Sequence, residues 1–144
     1  MFFGGTIFYY HASLVICVKP QISLNVYDTI QSTHHFECLS KDIGVKIQLY
    51  HGDNGLFTSC GFEEFIYENN KILTFCRVEA HHQNGGAEQA IRVVVFKDRV
   101  ITIIAEIILP FTSLDYIWDM EIKHAIHLQN KTPMYNSSIN EAGK

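Results

Sequence analysis

The sequence predicts an α/β fold, a mixed sheet flanked by helices. Three observations carry this expectation. Segments 6–10 and 14–18 are β-branched and aromatic runs with a three-residue break, the pattern of a hairpin and so of an antiparallel start. Helix-like and strand-like segments follow in the order helix, strand, helix, strand, helix, helix. A hydrophobic content of 47% beside 18% charged residues marks a folded chain, and 144 residues make one domain or part of one.

The hairpin is expected to stop at Lys19-Pro20, because proline cannot donate to a ladder. Ser23 or Asn25 caps a helix running to about Lys41. Val26, Ile30 and Leu39 form its apolar stripe, and Gly44 stops it. Segment 45–49 alternates and reads as a strand running into His51-Gly52-Asp53-Asn54-Gly55. Phe62, Phe65 and Ile66 indicate a short helix that ends at Asn69-Asn70. Segment 72–76 is a further strand, and 79–86 is a polar loop. Beyond Glu88 two signals compete. Segments 93–96 and 100–104, on either side of Lys97-Asp98-Arg99, pass as a hairpin on propensity. An all-round apolar run also suits a buried helix. Ile117, Trp118, Ile122, Ala125, Ile126 and Leu128 outline a last helix over 114–130, stopped by Thr132-Pro133. Residues 135–144 read as a flexible tail.

Bulk properties narrow the function. The net charge is −4 with His neutral, and the 11 Lys and Arg are scattered, with Arg92, Lys97 and Arg99 as the local group. That is a weak electrostatic footprint for a nucleic-acid binder. Cys17, Cys38, Cys60 and Cys76 form no Cys-x-x-Cys pair, so neither a zinc site nor a disulfide framework is indicated. They read as reduced, mostly buried thiols of an intracellular protein. The N-terminus lacks the basic start of a signal peptide. The richest apolar stretch, 91–109, carries Arg92, Lys97, Asp98, Arg99 and Glu106, which argues against a membrane span.

The chemistry lies in two segments. Asp53 is expected at the end of a strand. Glu88 is expected in the first turn of a helix, behind the loop His81-His82-Gln83-Asn84-Gly85-Gly86. Carboxylates placed in this way can share a pair of divalent metals. Two Mg²⁺ ions roughly 3.5–4 Å apart clamp the attacking and leaving oxygens of a phosphodiester displacement, and Mg²⁺ takes hard oxygen ligands. His81, His82, Gln83, Asn84 and Arg92 can reach phosphates or bases. A bland reading stands beside this one: Asp-Asn-Gly is an ordinary turn, and adjacent histidines on a loop more often face water than a metal. His34 and His35, neighbours on a helix, diverge.

Tyr50 to Phe57, His81 to Glu88, Ile91-Arg92, Ile117-Trp118 and Thr132-Pro133 together resemble the integrase catalytic core of copia-type LTR retrotransposons, in the RNase H-like superfamily. The resemblance covers nearly the whole chain. His-His-Gln-Asn-Gly followed by Ala-Glu and Ile-Arg is its most specific part. It implies a mixed sheet flanked by helices, favours helix over hairpin after Glu88, and makes Asp53 and Glu88 the second and third catalytic, metal-binding carboxylates. It implies Mg²⁺ or Mn²⁺ as cofactor, weakly bound, and DNA as partner, also weakly bound. A homodimer, no membrane and no small-molecule substrate complete the expected partners. The implied setting is the nucleus or a retroelement particle.

The departures set the functional expectation. The family's first Asp lies on a first strand ahead of the segment resembling residues 6–13. An Asp often stands where Tyr10 falls, but it is not taken as the essential one. On this reading the first strand is missing. Residues 6–134 are then a partial core, N-terminally truncated and catalytically inactive, and 135–144 the tail. Gln89 replaces a common basic residue. Two other readings are carried. One is a non-catalytic nucleic-acid-binding or dimerisation module. The other is a metal-dependent nuclease with Asp28 or Asp42 as the third acid.

Overall fold

The computed structural model describes residues 4–76, 85–110 and 118–132. They form β1 (Gly4–Tyr9), β2 (Ile16–Gln21), α1 (Val26–Asp42), β3 (Leu49–Gly52), a 3-10 turn (Leu56–Thr58), α2 (Cys60–Glu68), β4 (Ile72–Phe75), α3 (Gly85–Ile108) and α4 (Trp118–Lys131). The expected mixed α/β architecture is present. The sheet is not continuous among the described residues: β1 pairs antiparallel with β2, and β3 pairs parallel with β4, as two separate two-stranded pieces.

Pro20 does not end the hairpin. Strand β2 runs on to Gln21, with Pro20 opposite Gly5. Tyr10 N–H donates to Val15 O at 2.9 Å. The alternation of an antiparallel ladder then makes Gly5–Pro20 a pair without mutual hydrogen bonds. The donor that proline lacks is not needed there.

Helix α1 starts where the sequence indicates. The Asn25 side chain accepts from Asp28 N–H at 2.7 Å, and the Asp28 carboxylate accepts from the Ser23 hydroxyl at 2.8 Å. Both candidate capping residues are therefore used. Gly44 ends the turn at φ +77, a conformation glycine adopts without strain. The expected stripe holds in part: Val26 and Ile30 pack against the apolar cluster of α2. Leu39 is exposed, while Thr29, Ser32, Thr33, Phe36, Glu37 and Ser40 are buried. The hydroxyls of Thr29, Ser32, Thr33 and Ser40 each donate to the carbonyl four residues back, at 2.8–2.9 Å. With their donors satisfied inside the helix, these small side chains pack as apolar surface.

Three apolar clusters hold the elements. Ile16, Ala90, Val94, Ile122 and Ile126 join the hairpin to α3 and α4. Phe62, Phe65, Ile66 and Leu73 pack α2 on β4. Phe8, Phe36 and Ile47 link β1 to α1 and the approach to β3, with the Phe8 and Phe36 rings stacked at 4.4 Å. The strand expected over 45–49 lies later, at Leu49–Gly52. The β-prone stretch after Glu88 is helical because Ala90 and Val94, four residues apart, reach one cluster together. The tail falls outside the described residues.

Candidate functional site

A cleft of about 760 Å³ lies between β1 and β3. Its walls include Tyr9, Tyr10 and His11 at the end of β1, His51 and Asp53 at the end of β3, and Glu88 from α3. The structure thus brings Asp53 and Glu88 to the same cleft, although 34 residues separate them in sequence.

Local chemistry explains both placements. Asp53 follows β3 directly, and its carboxylate accepts from Asn54 N–H at 2.7 Å. The Asn54 amide donates to Cys76 O at 2.9 Å, tying the end of β3 to the end of β4. At the start of α3, a Cβ on Gly86 would stand 2.7 Å from a carbon of the Tyr9 ring. Only glycine admits this approach, which sets the first turn of α3 on the end of β1 and carries Glu88 to the cleft. A carboxylate in the first turn also meets the positive end of the helix dipole.

Arg92 lies 3.8 Å from Glu88, with its side chain 78% exposed. The pair is loose and water-screened, so Arg92 remains accessible to a ligand. His81, His82, Gln83 and Asn84 lie outside the described residues. Asp28 is engaged with Ser23 at the head of α1, and Asp42 ends that helix; neither lines the cleft. Among the described residues no three His, Cys, Asp or Glu side chains are grouped to hold a metal. The donor set around Asp53 and Glu88 is two carboxylates with phenols and imidazoles alongside. It does not fit a two-ion centre, which needs a bridging carboxylate and further hard oxygens.

Three features were missed in the sequence. Tyr10, half-buried, stands on the cleft wall with the two acids. His51 Nδ1 lies 2.9 Å from Thr74 Oγ1, and its Nε2 lies 3.2 Å from Cys76 Sγ. Because Thr74 gives its proton to Tyr50 O at 3.3 Å, it accepts from His51 Nδ1–H, which leaves Nε2 to face the thiol. Tyr50 donates to Glu37 at 2.9 Å, and Lys71 pairs with the same carboxylate. Burial, then the Glu37 carboxylate, hold the Tyr50 phenol far above its ordinary range. These contacts cross between elements, and no short motif announces them. The cysteines are free, but Cys38 and Cys60 are exposed, against the expectation of mostly buried thiols. His34 packs edge-on against Phe65, away from any metal partnership with His35.

No family model matches the chain, and no curated protein matches it in sequence. Solved structures do match in fold. The HTLV-2 integrase catalytic core domain in complex with magnesium is similar at a TM-score of 0.59 and 16% identity, over 93% of this chain and 86% of that one. The BIV integrase core is similar at 0.59 and 13% identity, over 92% and 84%. A chain of the simian T-cell lymphotropic virus intasome, solved with the PP2A regulatory subunit B56 gamma, is similar at 0.67 and 14% identity over 92% of this chain; about half of that chain (48%) is spanned. In fold, then, the chain is similar to retroviral integrase catalytic cores.

Proposed function

We propose that the chain is a module derived from the integrase core of a copia-type retroelement, and that it does not perform two-metal DNA strand transfer as it stands. The observation that carries the reading is the shared cleft: Asp53 and Glu88 line it together, and no third carboxylate is among its described lining residues. Asp53 and Glu88 would hold a single Mg²⁺ or Mn²⁺ weakly, with water completing the shell.

The direct test is strand transfer on element-end oligonucleotides with Mg²⁺ or Mn²⁺. No product is expected, and robust turnover overturns the inactive reading. Tyr10→Asp sharpens it: a third carboxylate on the cleft wall should tighten Mn²⁺ binding at least tenfold by titration calorimetry, and an unchanged affinity means that the cleft does not gather Asp53 and Glu88 around one ion. A second reading, weak nucleic-acid binding, rests on the exposure of Arg92 beside the cleft. A salt-dependent DNA shift that is lost in Arg92→Ala supports it. The absence of any shift at low salt counts against it.

A further inference from the structure

Helix α3 carries more apolar surface than its own fold uses. Ala90 and Val94 reach the core cluster on one side. Elsewhere on the helix Phe96, Ile103 and Ile107 are each more than half exposed, and Val100 is exposed with them. Successive helical residues turn by about 100°, so Phe96, Val100, Ile103 and Ile107 fall in a strip about 60° wide on the side away from Val94. The steps between them, four, three and four residues, are those of a coiled-coil seam, with Val100 and Ile107 at a positions and Phe96 and Ile103 at d positions. A contiguous exposed strip of this kind marks an interaction surface, as scattered apolar residues do not.

The charges beside the strip identify its occupant. Arg99 and Glu106 lie on one flank, at the two g positions next to the seam; both are exposed, and neither joins an ion pair among the described residues. Lys97 and Ile104 lie on the other flank. We infer that the strip is a self-pairing surface: α3 of one copy lies antiparallel against α3 of a second copy, about a two-fold axis near Ile101 and Thr102. Phe96 then meets Ile107 of the second copy, and Val100 meets its Ile103. The same register sets Arg99 against Glu106 in both directions, so the surface answers itself, as a two-fold interface requires. A parallel pair in register fares worse, because it sets Arg92 beside Lys97 and keeps Arg99 and Glu106 apart. Any other occupant must supply both an apolar seam and the matching charges, whereas a second copy already has them. Covering the four seam residues and Ile104 on both copies removes roughly 1,000 Å² of surface, the lower limit for a specific interface, so the dimer is a weak one. The seam is a property of α3 alone and is independent of strand transfer. It gives the homodimer expected from the sequence a face and an orientation.

Sedimentation velocity on the intact chain, from low to high micromolar, should show a monomer–dimer equilibrium. Ile103→Glu, at an exposed position, should leave the melting temperature of the dilute chain unchanged and weaken the dimer at least tenfold. Arg99→Glu and Glu106→Arg should each weaken it several-fold, and the two together should restore it. A chain that is monomeric throughout overturns the inference, and so does a dimer that Ile103→Glu leaves intact. A double charge swap no tighter than either single variant overturns the antiparallel register. Flotation of a monomeric chain with vesicles of mixed phosphatidylcholine and phosphatidylserine, lost in Ile103→Glu, assigns the strip to a lipid surface and overturns self-pairing.

Discussion

The hairpin half and the parallel half of this molecule reach order by different routes. The hairpin, β1 with β2, is covered by two helices, and its cluster draws Ile16 together with Ala90 and Val94 of α3 and Ile122 and Ile126 of α4. The parallel pair, β3 with β4, is short. It depends on the aromatic cluster of α2 and on a buried network, Glu37 with Tyr50 and Lys71, that ties α1 to the pair. A parallel pair always needs a covered crossover connection, whereas a hairpin closes on its own turn. Phe8, Phe36 and Ile47 are the buried residues of the third cluster, which spans the halves, with Tyr10, Cys17 and Tyr50 packed against it. In this molecule one fold is therefore assembled from two partly self-sufficient units with a narrow apolar bridge.

The largest effect should come from cutting that bridge. Phe36→Ala removes the stacked partner of Phe8 and should cost about 3–5 kcal/mol. Urea unfolding followed at separate probes in the two halves should then lose coincidence; a single shared transition would mean that the halves are coupled elsewhere. Next comes the network of the parallel half. Lys71→Met strands the buried Glu37 carboxylate and should cost about 3 kcal/mol or more, read as a shift in denaturation midpoint.

A third prediction concerns pH. The folded pKa of Tyr50 is raised, so its neutral form is favoured by the fold. The unfolded phenol loses its proton near pH ~10 while the folded one keeps it. Stability is therefore complete below about pH 10 and falls as pH rises beyond it. Tyr50→Phe should flatten that alkaline loss in a thermal-melt series, and an unchanged slope would assign the loss to other groups. On the hairpin side, the Asn130 side chain accepts from Ile16 N–H at 2.9 Å and donates to Ile16 O at 2.7 Å, so Asn130→Leu removes both bonds and should cost about 1–3 kcal/mol. The smallest effect belongs to Asp98, whose carboxyl burial pushes above its usual range. A raised acid weakens the fold as pH rises from the unfolded pKa through the folded one, so Asp98→Asn should raise the melting temperature slightly at neutral pH and leave it unchanged in acid.

Much of this architecture was legible in residue order. The hairpin, the cap at Asn25, the stop at Gly44 and the short helix ending at Asn69 follow from local rules, whereas the pairing of Asp53 with Glu88 came from the family resemblance. The misplacements share one physical cause, tertiary satisfaction of groups that local rules treat as isolated. Pro20 stays in β2 because its partner pair needs no donor. The serines and threonines of α1 go inward because their own helix answers their hydroxyls. The stretch after Glu88, which local rules leave between hairpin and helix and the resemblance assigns to helix, is helical because Ala90 and Val94 fill a cluster made by distant segments. In the site, two acids could be paired from spacing and a motif. The wall formed by Tyr10 and the thiol–imidazole contact of Cys76 with His51 arise only when separate strands meet.

The amide of Asn130 has one more consequence. An uncovered strand margin recruits copies of itself, and chains that leave one bare tend toward fibrils. One helical side chain that mimics a strand's bonding pattern denies that growth direction at Ile16. Its removal should therefore show as turbidity and thioflavin-positive deposits on warming, at protein concentrations where the parent chain stays clear.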